Sequence, residues 1–359
     1  MRYVPIEYVK ESMILGKTLY GNNGEVLLTR GTPILLSYIK ILIHLGYSGL
    51  CIKDELSEGI TMPEIISEEL KMRTINSVKS LMQPNCKKKQ IQASLKMIEK
   101  LLGNIADEIS RNKDIMVNIL DLRAASEYTF YHSVNVCVLS MVLGVAIKLK
   151  KEDLCLLGIS SLLHDMGKIY IPNKILDKPG ELTTAEFDVI KQHPRNGYIY
   201  VKENLDTNSK VYVGIYQHHE RYDGTGYPLN IKGNKISLFG RIIAIADVYD
   251  ALVSDRPYRK SVLPSEGIEY IMGSGGTMFD ANLAKILSTK VAPYPVGTCV
   301  KLSNDLIGIV VENYSSYCLR PSVRIIQNKD SLVTPFLMDL KESNYNVTIV
   351  GVADALLHL

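Results

Sequence analysis

Residues 218–228 read HHERYDGTGYP, in which two adjacent histidines and a glutamate open a segment rich in turn-forming residues. Glycine and proline mark turns and loops, so this segment is expected to be a loop rather than a continuing helix. Imidazole nitrogens are common ligands of transition metals. The segment therefore places two candidate metal ligands, His218 and His219, directly beside a predicted loop.

The other histidines cluster with this segment. Five of the seven in the chain fall between residues 132 and 219, namely His132, His164, His193, His218 and His219. One histidine in a helical domain is usually a structural residue. Five of them, with acids adjacent or nearby, predict a metal site, because neutral imidazole and carboxylate are usual ligands of divalent transition metals.

Residues 161–168, SLLHDMGK, place His164 and Asp165 side by side at the end of a predicted apolar helix. A carboxylate has two oxygens and can bridge two metal ions. Lys168 follows His164 by four residues, so it lies on the same face if the turn stays helical. A cation there could neutralise an anionic substrate or transition state.

Two further segments each contain one candidate metal ligand. Thr183 and Glu186 form a capping-box pattern, which predicts the start of a helix that leads to His193. Residues 241–247, RIIAIAD, predict an apolar helix that carries one acid, Asp247. An unpaired acid in such a run is costly, so a metal or a strong partner is expected beside it.

The whole series resembles the HD-GYP family of HD-superfamily metal-dependent phosphohydrolases. His164-Asp165 resembles the signature doublet, and residues 218–228 are similar to the HHE…DG.GYP signature. Residues 255–259, DRPYR, are similar to the stretch that follows it in the family. The resemblance covers about residues 125–290. It implies a phosphodiesterase that hydrolyses cyclic di-GMP to pGpG and, in many members, on to GMP, at a two- or three-metal site usually holding iron or manganese.

The same resemblance implies a ligand set. One metal would be held by His132, His164 and Asp247. The other would be held by His193, His218 and His219, with Asp165 bridging both ions. The reaction itself would depend on Asp165 and on Lys168, which would contact the scissile phosphate.

Substrate contacts are also implied by the resemblance. Gly226 and Tyr227 would belong to the substrate-facing loop, and Arg256 and Arg259 would reach the second phosphate. A substrate with two phosphates gives a chemical reason for such a second cationic pair beyond Lys168.

One departure from the family bears on the number of metals. Members with three metals carry a glutamate four residues before the first histidine, where this chain has Tyr128. Glu127 is one residue away, rotated by ~100° around a helix. We therefore expect two divalent metal ions, iron or manganese, and pGpG as the main product.

The sequence pattern predicts a mainly α protein. Residues 1–60 would form a small α+β module, with a hairpin around residues 21–24, since glycine and asparagine tolerate positive φ. Residues 61–112 would be a helical linker region, 113–290 the HD-GYP catalytic domain, and 291–359 a β-rich C-terminal module.

An apolar stripe with alternating spacings of four and three residues marks residues 91–109: Ile91, Leu95, Ile98, Leu102, Ile105 and Ile109. Such a stripe keeps the seam of a coiled coil and could join two copies as a homodimer. It spans less than three heptads, so packing against the chain's own helices explains it equally well.

The amino-acid composition argues against several classes of protein. The 359 residues carry 46% apolar and 22% charged side chains with a net charge of +3, which argues against disorder and against a nucleic-acid polymer as partner. Six cysteines without a CxxC pair indicate reduced thiols and a cytoplasmic protein. The apolar run 134–149 is shorter than the ~20 residues of a membrane span, so a buried helix and no membrane partner are expected.

Two alternatives remain at this stage. The chain could be a non-catalytic receptor or adaptor that binds a cyclic dinucleotide, since complete ligands do not prove turnover. It could also hydrolyse another cyclic dinucleotide, such as cyclic GMP-AMP, because base selectivity depends on the shape of the pocket.

Overall fold

The computed structural model describes residues 1–21, 25–81, 88–118, 128–254, 261–329, 331–342 and 346–353. The described chain is mainly helical, with small sheets towards both ends, which confirms the predicted fold class. Two compact units emerge: Met1–Ile65 with Asp114–Tyr128 and Thr289–Leu359, and Ile66–Lys113 with Thr129–Ser288. The finer division into four segments stays a prediction.

The first unit contains the described strands. Near the N-terminus these are β1 Arg2–Pro5, β2 Ile14–Leu15, β3 Leu19–Tyr20, β4 Val26–Leu28 and β5 Gly49–Lys53, with helix α1 Leu36–His44 between the last two. β1, β5 and β2 lie antiparallel in that order, and β3 pairs with β4, as the predicted hairpin requires.

A second antiparallel sheet of this unit has the order β10-β6-β7-β8-β9. Its strands are β6 Cys299–Leu302, β7 Leu306–Glu312, β8 Ser322–Asn328, β9 Ser331–Asp339 and β10 Ile349–Val352. The short, alternating apolar segments predicted here as β-structure are therefore strands.

The second unit is helical. In chain order its longer helices are α2 Glu68–Leu81, α3 Lys88–Arg111, α4 Tyr128–Ala146, α5 Lys151–Leu162, α8 His193–Asn204, α9 Ser209–Gln217, α10 Leu238–Val253, α11 Pro264–Gly273 and α12 Ala281–Lys290, the last of which ends in the first unit. Two short helices, α6 Asn173–Leu176 and α7 Thr184–Ile190, lie between α5 and α8.

The apolar stripe on α3 is buried within this chain. Its six side chains are at most 4% exposed, and α3 packs against α2 and α5. The stripe thus serves the chain's own core, as the second of the two interpretations states. A homodimer stays a prediction, without this stripe as its basis.

Helix α4 runs through the core of the second unit. Among the described residues, its segment Thr129–Ala146 is the one helix long and apolar enough to span a membrane, and 78% of it is buried inside the fold. Each fully buried aliphatic side chain stabilises the fold by about 1.5–3 kcal/mol. Polar residues on this helix, His132 and Asn135 among them, are therefore held in an apolar setting.

A close backbone contact at Gly167 sets the distance between the turn that follows α5 and the first turn of α8. α5 ends before His164, and a 3-10 turn, Met166–Tyr170, follows and packs on α8. A Cβ atom on Gly167 would collide with the carbonyl oxygen of His193 and the backbone nitrogen of Gly197. Only glycine at this position allows the turn to lie against the first turn of α8.

Candidate metal centre

All seven predicted metal ligands converge at one place in the second unit. They come from the first half of α4 (His132), the end of α5 (His164, Asp165), the start of α8 (His193), the end of α9 (His218, His219) and the middle of α10 (Asp247). The capping box of Thr183 and Glu186 is present and starts α7, the short helix that precedes α8. All of the ligands are at most 9% exposed except His219, which is half-buried.

The ligands form two groups. In the first, the His132 position, the ligand atoms of His132, His164 and Asp247 lie within 4.8 Å of one another. In the second, the His193 position, the same holds for His193, His218 and His219. These are the two sets of three that the family resemblance implies.

Asp165 lies between the two groups. Its Oδ2 is 3.4 Å from His164 Nε2 and 3.9 Å from His132 Nε2. Its Oδ1 is 3.4 Å from His193 Nε2. One carboxylate oxygen therefore faces each group, which is the arrangement that a bridging ligand needs.

The unsatisfied polar atoms of the centre fit a bound cation. His164 Nε2 is buried and has no hydrogen-bond partner. His193 Nε2 and His218 Nε2 face each other at 3.3 Å, so at most one of them can donate to the other. A cation bound among these three nitrogens would accept all three lone pairs. A donor set of imidazoles and carboxylates suits divalent transition metals.

Backbone carbonyls close by in the chain orient three of the histidines. In each, Nδ1 lies 2.6–2.8 Å from the backbone carbonyl oxygen three residues earlier. The pairs are His164 with Ser161, His193 with Ile190, and His218 with Ile215. Since Nδ1–H donates to the carbonyl, Nε2 is the nitrogen left for a metal.

Electrostatics keep the His193 position free of protons. Burial lowers the pKa of His193 to about 4 and that of His219 to about 3. Burial, together with the neighbouring histidines, also holds the pKa of His218 well below its ordinary value. These imidazoles are neutral at pH 7, as metal ligands must be.

The pKa values of Asp165 and His132 are shifted in the directions that favour their charged forms. Burial raises the pKa of Asp165, but Lys168 and three histidines outweigh it and hold the pKa well below its ordinary value. Burial lowers the pKa of His132, but hydrogen bonds to Asp247 and Asp250 outweigh it and raise the pKa to about 9. The raised pKa of His132 reflects the carboxylates of Asp247 and Asp250 on either side of the ring, which also favour a cation at this position.

Lys168 lies on the 3-10 turn rather than on a continuing α-helix. Its Nζ is 2.6 Å from Asp165 Oδ2, and its side chain is partly exposed. The expected pairing of Lys168 with the face of His164 is thereby replaced by direct contact with the carboxylate three residues before it. The ammonium group is thus held at the edge of the centre, and its contact with a substrate phosphate stays a prediction.

The GYP loop, residues 220–233, folds back over the ligands at the end of α9. The Tyr227 backbone N–H donates to the His219 carbonyl at 3.1 Å, and the Tyr227 ring stacks on the His219 ring with centroids 4.8 Å apart. Glu220 is buried, and its carboxylate accepts from the backbone N–H of Leu229 at 2.5 Å and of Ile231 at 3.2 Å. Glu220 thereby ties the far side of the loop to the segment that carries two ligands.

Gly226 is required by the packing of this loop. A Cβ at Gly226 would collide with the Arg221 backbone nitrogen and the His219 carbonyl oxygen. Changing Gly226 to Ala should therefore shift the loop and lower kcat/KM for the substrate by about 10- to 100-fold, since small misplacements at a site cost rates of this order. The check is steady-state kinetics, with Gly273→Ala at the end of α11 as the control, because nothing lies within 4 Å of a Cβ there and its φ is not positive. Equal effects of the two changes would contradict this role.

Glu220 offers a second test of the loop. Changing Glu220 to Gln keeps the size of the side chain but places an amide N–H₂ against backbone N–H groups, so one of the two accepted hydrogen bonds is lost. Such a loss at a buried group costs about 1–3 kcal/mol. We expect a lower melting temperature and a higher KM, with metal content unchanged, measured by thermal unfolding, kinetics and metal analysis. Loss of both ions from this variant would show that Glu220 acts on the metal ligands instead.

Two sequence-based arguments concern side chains outside this description. Arg256, Arg259 and Glu127 lie outside the described residues, and of Tyr128 only the backbone, at the start of α4, is described. The second phosphate contact and the two-metal argument from Tyr128 therefore stay predictions.

One functional residue was missed in the sequence. Asp250 is buried one turn after Asp247 on α10, and its Oδ2 lies 2.7 Å from His132 Nδ1. The signal was present, because a second acid three residues after Asp247 lies on nearly the same helix face. Only the packing of α10 against α4 reveals its partner.

Comparison with known proteins places the chain. The family model of the HD domain matches residues 114–283. Over 253 residues, which are 70% of this chain, it is 35% identical to a cyclic di-GMP phosphodiesterase of Pseudomonas aeruginosa. Residues 114–283 therefore belong to the HD domain family. The recognition made from the HD doublet and the GYP segment is thus confirmed.

Other HD-GYP relatives differ in substrate. Over 173 residues, 48% of this chain, it is 39% identical to a 3'3'-cGAMP-specific phosphodiesterase of Vibrio cholerae. The chain spans 61% of the length of the Pseudomonas relative and 39% of the Vibrio relative. A solved HDG"Y"P protein of Bdellovibrio bacteriovorus shares the fold with a TM-score of 0.52 at 16% identity, covering 79% of this chain and 97% of that one.

Proposed function

We propose that this HD-GYP protein is a metal-dependent phosphodiesterase that hydrolyses cyclic di-GMP to pGpG. The observation that carries the proposal is Asp165, whose two oxygens face two complete groups of ligands while Lys168 holds a positive charge beside it. The cyclic di-GMP phosphodiesterase among its relatives supports the substrate class.

The residues of the centre each have a task in this reaction. A pair of divalent ions, when bound, would supply an activated hydroxide and neutralise charge on the phosphate. His132, His164 and Asp247 would hold one ion, and the three histidines of the His193 position the other, with Asp165 shared. Lys168 would place its ammonium group beside a phosphate oxygen, and Tyr227 would shield His219 from water.

Two ions, of iron or manganese, are the cofactors we propose. Two of the groups formed by the described ligands share no residue, and a third, His164 with Asp165 and His218, joins them through the shared carboxylate, which supports two neighbouring positions. The mixed imidazole and carboxylate donors suit these metals. Tyr128, in place of the glutamate found in three-metal members, supports pGpG as the product that accumulates.

The decisive experiment pairs metal analysis with product chromatography. Protein purified without oxygen should contain about two equivalents of iron or manganese and convert cyclic di-GMP to pGpG. Three equivalents would contradict the argument from Tyr128 but not the activity. Bound metal with intact nucleotide would refute the hydrolase and favour the receptor or adaptor that binds without turnover.

A second substrate has specific support. The relative that is specific for 3'3'-cGAMP matches the chain at 39% identity. Competition between cyclic di-GMP and cyclic GMP-AMP, each at limiting concentration, would rank the two by kcat/KM. A higher kcat/KM for cyclic GMP-AMP would make that nucleotide, and not cyclic di-GMP, the proposed substrate.

The proposed location is the cytoplasm, without a membrane or nucleic-acid partner. The described cysteines, Cys51, Cys137, Cys155, Cys299 and Cys318, form no disulfide, which supports a reducing compartment. The nearly balanced charge gives no basis for binding a polyanion.

A further inference from the structure

The two metal positions differ in what lies behind their histidines. At His164, His193 and His218, Nδ1 donates to the neutral backbone carbonyl of the residue three positions earlier. At His132, the partner of Nδ1 is the buried carboxylate of Asp250, at 2.7 Å. Among the described hydrogen bonds of the ligand histidines, His132 thus has a charged partner where the other three have neutral ones.

Asp250 is itself fixed by further contacts. Asn135 Nδ2 donates to its Oδ1 at 2.9 Å, and Ser254 Oγ lies 3.3 Å from the same oxygen. His132 and Asn135 are three residues apart on α4, and Asp247 and Asp250 are three residues apart on α10. His132 and Asp247 thus face the centre, while Asn135 and Asp250 bond to each other one turn further along the two helices.

Charge separates the two positions as well. The His132 position has the ligand carboxylate of Asp247 and the carboxylate of Asp250 directly behind His132. The His193 position consists of three imidazoles and has no carboxylate besides the shared Asp165. Asp165 faces both positions, and Lys168 neutralises part of its charge. A divalent cation is attracted more strongly where carboxylates are closest.

A carboxylate behind a histidine also makes it a better ligand. It fixes the tautomer, aligns the ring and raises the electron density on the nitrogen that binds the metal, and loss of such a partner costs about 10- to 100-fold in metal affinity. We propose that Asp250 is a positioning residue that makes the two metal positions unequal, so that the His132 position binds its ion more tightly and fills first. This inference rests on the metal centre of the proposed function.

The test is a titration of the metal-free full chain with Mn²⁺, in which the bound ion is followed by electron paramagnetic resonance and the heat by calorimetry. The unchanged protein should bind in two classes of different affinity. Asp250→Asn should weaken the tighter class by about 10- to 100-fold and leave the weaker class as it was. His132→Ala should remove the tighter class, and His219→Ala the weaker one.

A matched control separates positioning from general stability. Asp280 is another buried aspartate of the second unit, and it pairs with Arg241 at 2.7 Å. Asp280→Asn should lower the melting temperature without changing either class of metal binding. If Asp250→Asn does not fold, Asn135→Ala removes one support of the same carboxylate and should weaken the same class by a smaller factor.

Three results would overturn the inference: equal affinities in the unchanged protein, equal weakening of both classes by Asp250→Asn, or loss of the tighter class in His219→Ala. Failure of the unchanged protein to bind any Mn²⁺, Fe²⁺ or other divalent ion is a different result, since it would remove the proposed metal centre itself.

Discussion

Changing Asp165 to Ala is expected to abolish hydrolysis of cyclic di-GMP, lowering kcat by at least about 1,000-fold, or about 4 kcal/mol in activation free energy. Asp165 is the one described side chain whose oxygens face both groups of ligands, at 3.4 Å from His164 and from His193. Its loss leaves each ion short of a ligand and leaves Lys168 without its partner. We therefore expect the metal content to fall as well.

The measurement for Asp165 combines kinetics with metal analysis of the same preparation. Asp188 provides the control, because it is an exposed aspartate on α7 that pairs with Lys191. Asp188→Ala should keep full activity and both ions. Near-normal hydrolysis by Asp165→Ala would refute the two-metal centre as assigned.

Changing Lys168 to Ala should separate chemistry from metal binding. Lys168 touches Asp165 but lies outside both groups of ligands, so both ions should remain. The charge that develops on the phosphate would lose its neighbouring cation, and removal of one such electrostatic contact costs about 100- to 1,000-fold in kcat. Single-turnover kinetics with saturating substrate measure this step directly.

The control for Lys168 is another lysine nearby in the chain. Lys174 is exposed on α6, and Lys174→Ala should leave the rate unchanged. Loss of an ion from Lys168→Ala would mean that the lysine supports Asp165 rather than the substrate. Partial recovery in Lys168→Arg would support a role of its charge.

Most of the candidate ligands, which the structure brings together, could be proposed from sequence because a local pattern marks them. His164 and Asp165 are adjacent, His218 and His219 open a segment full of turn residues, and Asp247 interrupts an apolar run. The family resemblance then supplied how these separate segments would be grouped. The fold class followed for the same reason, since helical stripes and short alternating strands are both local features.

What depends on packing between distant segments could not be predicted. Asp250 is 118 positions away from His132 in the chain, so its role becomes visible only when the fold places α10 beside α4. The α3 stripe has the same spacing whether it meets another copy or its own neighbours, and only the fold shows that α2 and α5 cover it. Lys168 was expected on a helical turn, but the chain tightens into a 3-10 turn at Met166.

Gly167 shows that an essential position need not carry a functional group. It lies between Asp165 and Lys168, directly after Met166, and the space where its side chain would be is filled by the His193 carbonyl and the Gly197 backbone. A survey of every substitution along the chain would therefore score Gly167 among the least tolerant positions, beside residues that bind ions. At Gly167 the loss of function would reflect how closely two backbones approach. A low score in such a survey would therefore identify both tightly packed positions and chemically active ones.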